Sequence, residues 1–375
     1  MSNSTVYRAC SGGFGLIELL VAMAIGLLLM GATLTLYLDL SRSNQEMARL
    51  NQQIEAGAIA MQLLREDVQH AGFWNGYVPE FDDFTYTAAP SDYPSAAPDP
   101  CLPFASWNAT EKANRLGMAL QVFANVPTGC SSQLPDKVVG SDVLVVRYAQ
   151  GCVAGTANCD PLTAGEVYFQ ASQCEGEARY ALESYVSAAN PVPLTQRDCT
   201  TVAERRKWVN NIYYLRNYAN TAGDGIPTLM RSEFSAGVQQ VAVPLIEGVE
   251  AMRFELGSDQ VSDAGLAVNF TQAVSWADEN NRTSPTNRGD GAADVLCLTS
   301  TPCDLDDQVN AVLLKPYLLV RTLQETTGYS SDKTYYVGDP DDSDADYGPF
   351  SDSFKRHVYS TSIRLTNVSA RRETP

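Results

Sequence analysis

Gly12-Gly13-Phe14-Gly15-Leu16-Ile17-Glu18 runs directly into Leu19–Leu38, twenty consecutive residues without a charge: Leu-Leu-Val-Ala-Met-Ala-Ile-Gly-Leu-Leu-Leu-Met-Gly-Ala-Thr-Leu-Thr-Leu-Tyr-Leu. As an α-helix this run would reach roughly 30 Å, the thickness of a hydrocarbon core. Glu18 stands immediately before it. A carboxylate at bilayer depth costs roughly 2.5–3.5 kcal/mol on insertion scales, so the position asks for a partner. The layout is not that of a cleaved secretory signal, in which the small residues follow the apolar stretch. Here Gly12 and Gly13 precede it, so cleavage after Gly13 would leave the hydrophobic helix on the mature chain. An uncleaved single-span anchor is the plain alternative.

Beyond Leu38 the pattern becomes amphipathic. Leu40, Met47, Leu50, Ile54, Ala58, Met61, Leu64 and Val68 recur mostly at three- and four-residue steps and predict one apolar helix face. Residues 14–71 contain no proline, and Gly72 is the expected stop. The spacing therefore predicts one helix over 14–72, with residues 19–38 crossing a membrane. Gly57 and the few matched charges argue against a free coiled-coil stalk.

The remaining residues, 73–375, read as β-rich. Strands are expected at Met118–Phe123, Val143–Tyr148, Val167–Phe169, Trp208–Leu215, Thr228–Met230, Val249–Leu256, Asn310–Leu323 and around Tyr359, Thr361, Ile363 and Leu365. Pro316 marks its segment as an edge strand or a bulge. The Pro/Ala/Ser/Asp-rich residues 79–100 and the polar interval Gly257–Thr301 read as surface connections. The fold class is α+β, a long N-terminal helix with antiparallel sheet packed on its polar half.

Composition narrows the functions available. A net charge of −18 repels phosphate backbones, which argues against a nucleic-acid partner. Eight of nine cysteines, Cys101, Cys130, Cys152, Cys159, Cys174, Cys199, Cys297 and Cys303, lie beyond the apolar run, an even set that suggests disulfides in an oxidising compartment. Short separations favour Cys152–Cys159 and Cys297–Cys303, with Cys101–Cys130 and Cys174–Cys199 as longer loops, although sequence alone does not choose among the pairings. Two histidines, His70 and His357, leave little material for nucleophile–His catalysis or zinc, and no cofactor or catalytic motif is found. Asp342, Asp344 and Asp346 match part of a calcium loop, but the glycine is one place late and Ser353 stands where a bidentate Glu is needed. A solvated acidic loop is the better reading.

Gly13-Phe14-Gly15-Leu16-Ile17-Glu18-Leu19-Leu20-Val21-Ala22 closely resembles the class III signal of type IV prepilins and type II secretion pseudopilins. The resemblance implies cleavage between Gly13 and Phe14 by a prepilin peptidase, N-methylation of Phe14, and an assembly contact at Glu18, the fifth residue from the cut. Gly15 departs from the Ser or Thr more usual there, and Thr35 stands where major pilins usually have proline. Leu64–Phe73 and the ending Arg364-Leu365-Thr366-Asn367 are similar to features of PilW-type minor pilins. That likeness implies a structural, non-enzymatic protein of the inner membrane and then of the fibre. Its implied partners are other minor pilins, a tip adhesin and the major pilin; the division is a leader at 1–13, the helix at 14–72 and a globular part at 73–375. A minor pseudopilin of type II secretion shares the same N-terminal logic. A membrane-anchored periplasmic binding or enzymatic protein is the rival of another class.

In a filament, a neighbour's protonated N-terminal amine would pair with Glu18, making two costly charges tolerable together. Glu18→Ala is accordingly expected to leave membrane insertion intact while reducing incorporation into fibres. Immunoblots of membrane and sheared-fibre fractions test this; equal incorporation would remove the pairing from the argument.

Overall fold

With no proline between Leu16 and His70, the opening run forms one helix in the computed structural model, α1 (Leu16–His70). The structure describes residues 13, 15–298, 303–338 and 346–373. The chain divides into two units, residues 1–51 and 52–375. In the first, every residue from Leu16 to Leu40 is exposed. The Thr33 hydroxyl donates to the Leu29 and Met30 carbonyls (both 3.0 Å), and that of Thr35 to Ala32 (2.9 Å). Both threonines are thus satisfied inside the helix, which is what an apolar surrounding requires.

The second unit starts within the same helix. Its buried face is Gln53, Gly57, Ala60, Leu64 and Val68. This corrects part of the stripe expected from periodicity: Ile54 is 56% exposed and Ala58 is exposed, whereas Gln53 and Gly57 point inward. Close approach explains the choice. A Cβ on Gly57 would lie 2.3 Å from Cε2 of Tyr359. Gln53 spends its amide on the carbonyls of Val320 (2.6 Å) and Lys355 (3.1 Å), which makes its burial tolerable. Leu64 and Val68 are fully buried, each contributing about 1.5–3 kcal/mol.

Eight antiparallel strands form the first sheet: β1 (Leu120–Phe123), β2 (Val143–Ala149), β3 (Val167–Ala171), β4 (Tyr180–Ser184), β5 (Arg206–Arg216), β6 (Thr228–Ser235), β7 (Val238–Gln239) and β8 (Val243–Glu247). The long β5 organises it, with β2 along one side and β3 then β6 along the other; the order β1-β2-β5-β3-β4 leaves β1 and β4 outermost. The second sheet is built on β9 (Val249–Ser258). Between β9 and its other members come the pair β10 (Trp276–Asp278) and β11 (Thr283–Pro285). The other members are β12 (Val295–Leu298), β13 (Ala311–Arg321), β16 (Arg356–Ser360) and β17 (Ile363–Arg364); β14 (Tyr335–Tyr336) and β15 (Asp346–Tyr347) pair separately. Both large sheets supply one core under α1, in which Leu64 and Val68 meet Leu144, Tyr213, Phe254 and Leu318. An aromatic core beside it stacks Trp74 on Trp208 (5.2 Å between centroids, 6° between planes).

Several expectations are corrected. β13 is a central strand, paired with β9 on one side and with β16 and β17 on the other. Pro316 fits because the second ladder lapses there: β17 takes Leu313 and Leu314, and β16 resumes at Tyr317. The interval 257–301 contains the end of β9 and all of β12, joined from Val295↔Ser258 to Leu298↔Glu255. Residues 79–100 are not merely surface, since Phe81 and Asp82 are buried and Phe81 meets Tyr93 and Phe270 edge-on. The last strand ends early and the chain turns into a helix. Three short helices, α2 (Ala109–Gly117), α3 (Leu305–Val309) and α4 (Thr366–Arg372), lack the length for a readable apolar period.

Four disulfides join Cys101–Cys130, Cys152–Cys159, Cys174–Cys199 and Cys297–Cys303. Each closes a local loop, with sequence separations of 29, 7, 25 and 6. They brace the insertions, while the strand ladders hold distant segments together.

Gly57→Val is expected to lower stability by about 1–3 kcal/mol through overpacking against Tyr359. The melting temperature of the full-length protein in detergent measures it; an unchanged value would mean that the helix can shift off the ring at no cost.

Candidate functional site

Two regions carry the residues singled out by the sequence: the start of α1 and its far end. At the start, Gly15 and Glu18 form half of a capping box. The Gly15 N–H donates to Glu18 Oε2 (3.0 Å), and the Gly15 carbonyl receives the N–H of Glu18 (3.0 Å) and Leu19 (3.2 Å). Gly15 has no side chain to complete the box. Gly13 is exposed; Phe14 lies outside the described residues. The carboxylate of Glu18 is therefore held at the head of a helix whose next twenty residues present only apolar and threonine or tyrosine side chains, with Leu28 74% and Leu38 46% exposed. Among the described residues, α1 is the one helix long and apolar enough to cross a membrane.

The far end is a clasp. Asp67 accepts from the Tyr148 hydroxyl (2.8 Å), the Asn211 amide (2.6 Å) and the Tyr213 hydroxyl (2.6 Å), tying the last turns of α1 to β2 and β5. Gly72 turns the chain with φ +74°, a conformation that favours glycine, and its N–H donates to the Arg147 carbonyl (3.0 Å). From the opposite end of the sequence, Asn367 donates to the carbonyls of Gln69 (3.0 Å) and Ala71 (3.3 Å), and Arg371 to that of Gly72 (2.9 Å). These are carbonyls that a helix end leaves without partners. Two stretches noted separately in the sequence, 64–73 and 364–367, are thus halves of one joint.

Beneath it lies a buried charge cluster that sequence reading missed. Asp82 accepts from Arg372 Nε (2.9 Å) and Arg371 Nη2 (3.1 Å), while Arg372 Nη1 lies 3.6 Å from Asp259. Asp259 also accepts from the Asp290 and Gly291 N–H groups (3.2 and 3.0 Å). Burial pushes the Asp259 carboxyl up to about 6 against the opposing pull of Arg372. No local pattern joins residues 82, 259 and 371–372. The Arg371-Arg372 pair ending an otherwise acidic chain was the one available signal.

The other candidates separate. His70 donates from Nδ1 to the Glu66 carbonyl (2.7 Å), and His357 packs edge-on against Tyr359 (4.7 Å). Asp342 and Asp344 lie outside the described residues, and Asp346 opens β15. Among the described residues, the one group with metal-ligand proximity is Asp99, Cys101 and Cys130, but both sulfurs are consumed in a disulfide.

Comparison with known families covers both regions. Residues 8–34 match the prokaryotic N-terminal methylation motif, which includes Glu18. Residues 212–367 match the Type IV Pilus-assembly protein W family, PilW, from the middle of β5 to the Asn367 of the clasp. The second half of the chain is thus similar to the PilW family, and its start to the methylation motif. The family match spans β6, β9, β13 and the start of α4. Strands β1 to β4, with three of the four disulfides, lie before it. A solved type IV-like pilin from Thermus thermophilus is similar over 86% of this chain and 98% of its own, at 12% identity and a TM-score of 0.33. No curated protein matches the chain.

The Asp259 carboxyl gives a pH prediction. Its folded value lies above the unfolded value of about 3.9, so the folded state binds the extra proton. That contribution is full below about pH 4 and is lost as pH rises through about 6. Thermal melts are expected to show wild type losing on the order of 1–3 kcal/mol between about pH 4.5 and pH 7.5 relative to Asp259→Asn. Parallel curves for the two proteins would show that Asp259 does not titrate in this window.

Proposed function

We propose that this chain is a minor pilin of a type IV pilus, made as an inner-membrane precursor and then incorporated into the fibre. The observation that carries the reading is the methylation motif set at the head of a wholly exposed apolar helix, in a chain whose sheet region matches the PilW family. Residues 1–13 serve as the leader, a prepilin peptidase cuts between Gly13 and Phe14, and Phe14 is N-methylated. The mature helix stays in the inner membrane with residues 73–375 in the periplasm until assembly. Glu18 then takes the N-terminal amine of a neighbouring subunit, and the apolar run exchanges lipid for the helices of other minor pilins and the major pilin. The chain helps to initiate assembly within a tip complex that also holds a tip adhesin, and so supports adhesion and twitching motility. Its role is structural and not enzymatic.

Mass spectrometry of the mature N-terminus tests the reading. Methylated Phe14 is the expected result, and retention of residues 1–13 would return the chain to a simple membrane anchor. Recovery in sheared surface fibres is expected as well; methylated protein confined to the envelope would favour a type II secretion pseudopilin.

A further inference from the structure

Asn-x-Ser/Thr, the acceptor pattern for N-linked saccharides, occurs four times beyond Leu38, at Asn108, Asn269, Asn281 and Asn367. Three of these are committed to the fold. Asn108 is the N-cap of α2, where its side chain accepts the Glu111 N–H (2.9 Å). Asn269 accepts both the N–H and the hydroxyl of its own Thr271 (3.1 and 2.7 Å), and Phe270 between them is buried. Asn367 belongs to the clasp at the end of α1, and its partner in the pattern, Ser369, is fully buried. An enzyme that must grip asparagine and hydroxyl together finds neither released at these places.

Asn281 differs. Residues 279–282 form the turn between β10 and β11, and all of 279–283 are exposed. That hairpin pairs with no other described strand, so a bulky group on its turn displaces no sheet contact. The Asn281 side chain makes one local bond, from Nδ2 to Oδ2 of Asp278 (2.8 Å), whose other oxygen accepts the N–H of Asn280 and Asn281 (3.0 and 3.2 Å). An exposed bond of this kind is exchanged for water or for an enzyme group at little net cost. Arg282 has φ +51°, so the chain bends between Asn281 and Thr283 while both stay exposed.

The residue two places before Asn281 is Glu279, whereas Ser106, Ala267 and Leu365 precede the other three. One Glu279 oxygen accepts the Trp276 N–H (3.3 Å), and the residue remains exposed. A carboxylate at that place is the feature that bacterial transferases of this class read with a cation of their own, through a charge-assisted hydrogen bond. Acid, asparagine and threonine therefore stand at alternate positions on one exposed turn.

We propose that Asn281 carries an N-linked saccharide, added beyond the membrane by an oligosaccharyltransferase that reads Glu279 and Thr283 on either side of it. This rests on the periplasmic placement of residues 73–375, with which the four disulfides agree. The donor is a saccharide carried on a lipid diphosphate. Nδ2 of Asn281 attacks its anomeric carbon, and the C–N bond forms as the bond from that carbon to the diphosphate oxygen breaks. The lipid diphosphate leaves with the electron pair and the amide gives up one proton, so nothing is oxidised or reduced.

The test uses full-length protein purified in detergent from its native cells, with electron-transfer fragmentation to locate each added mass. A saccharide on Asn281, and on none of the other three asparagines, is the expected result. Asn281→Gln is expected to remove it. Glu279→Gln, which keeps the acceptor and its hairpin, is expected to lower occupancy at least tenfold at an unchanged melting temperature. Bare Asn281 in protein whose Phe14 is methylated would overturn this proposal and leave the pilin reading standing. Modified Asn281 in protein that retains residues 1–13 would do the reverse. Unchanged occupancy in Glu279→Gln, or a saccharide on Asn269 in place of Asn281, would also overturn it.

Discussion

The structure depends on how the end of α1 is held. A helix leaves its last carbonyls without partners, and a buried end must find donors or lose stability. Here the donors come from the opposite end of the chain: Asn367 serves Gln69 and Ala71, and Arg371 serves Gly72. Asp67 adds a carboxylate held by three donors on the sheet. Residues 367 and 371 therefore complete the end of a helix some 300 positions before them. Arg371 and Arg372 are then committed to Asp82 and Asp259, so α4 is held from below as well as by its bonds to the end of α1.

That joint explains the packing around it. Ala60, Leu64 and Val68 are small or aliphatic because they lie against the inner faces of both sheets, and Gly57 is bare because Tyr359 occupies its space. Gln53 looks misplaced on a buried face until its two carbonyl partners are seen. A polar residue with both amide protons engaged costs little there, and it fixes the rotation of the helix more sharply than another leucine would. The same economy serves Pro316, whose missing donor coincides with a lapse in the ladder between β17 and β16.

What could be read from the sequence follows from the range of the forces involved. The helix, its stop at Gly72 and most strands rest on local periodicity and turn chemistry, which a single stretch displays. Residue pairs such as Asp82 with Arg372, or Asn367 with Gln69, are chosen by tertiary placement, and no spacing announces them. The inward face of α1 between Gln53 and Gly57 was obscured for the same reason. Periodicity weighs hydrophobicity, whereas this contact was decided by side-chain volume and by two specific hydrogen bonds. The short helices α2, α3 and α4 fall below the length at which an apolar period separates from noise.

The chain must satisfy two solvents with one continuous helix. Its first half has no polar group left over in its threonines, and its sole charge between Leu16 and Leu38 is Glu18, at the very start. Its second half, from Gln53, is bound into a sheet core by contacts that need water on the outside. An uncharged surface of this length cannot remain in water, so the first half always requires either lipid or other apolar helices. Glu18 accepts from the Gly15 N–H at the head of the helix. The carboxylate thus has its partner inside the chain, at the boundary where the uncharged run begins.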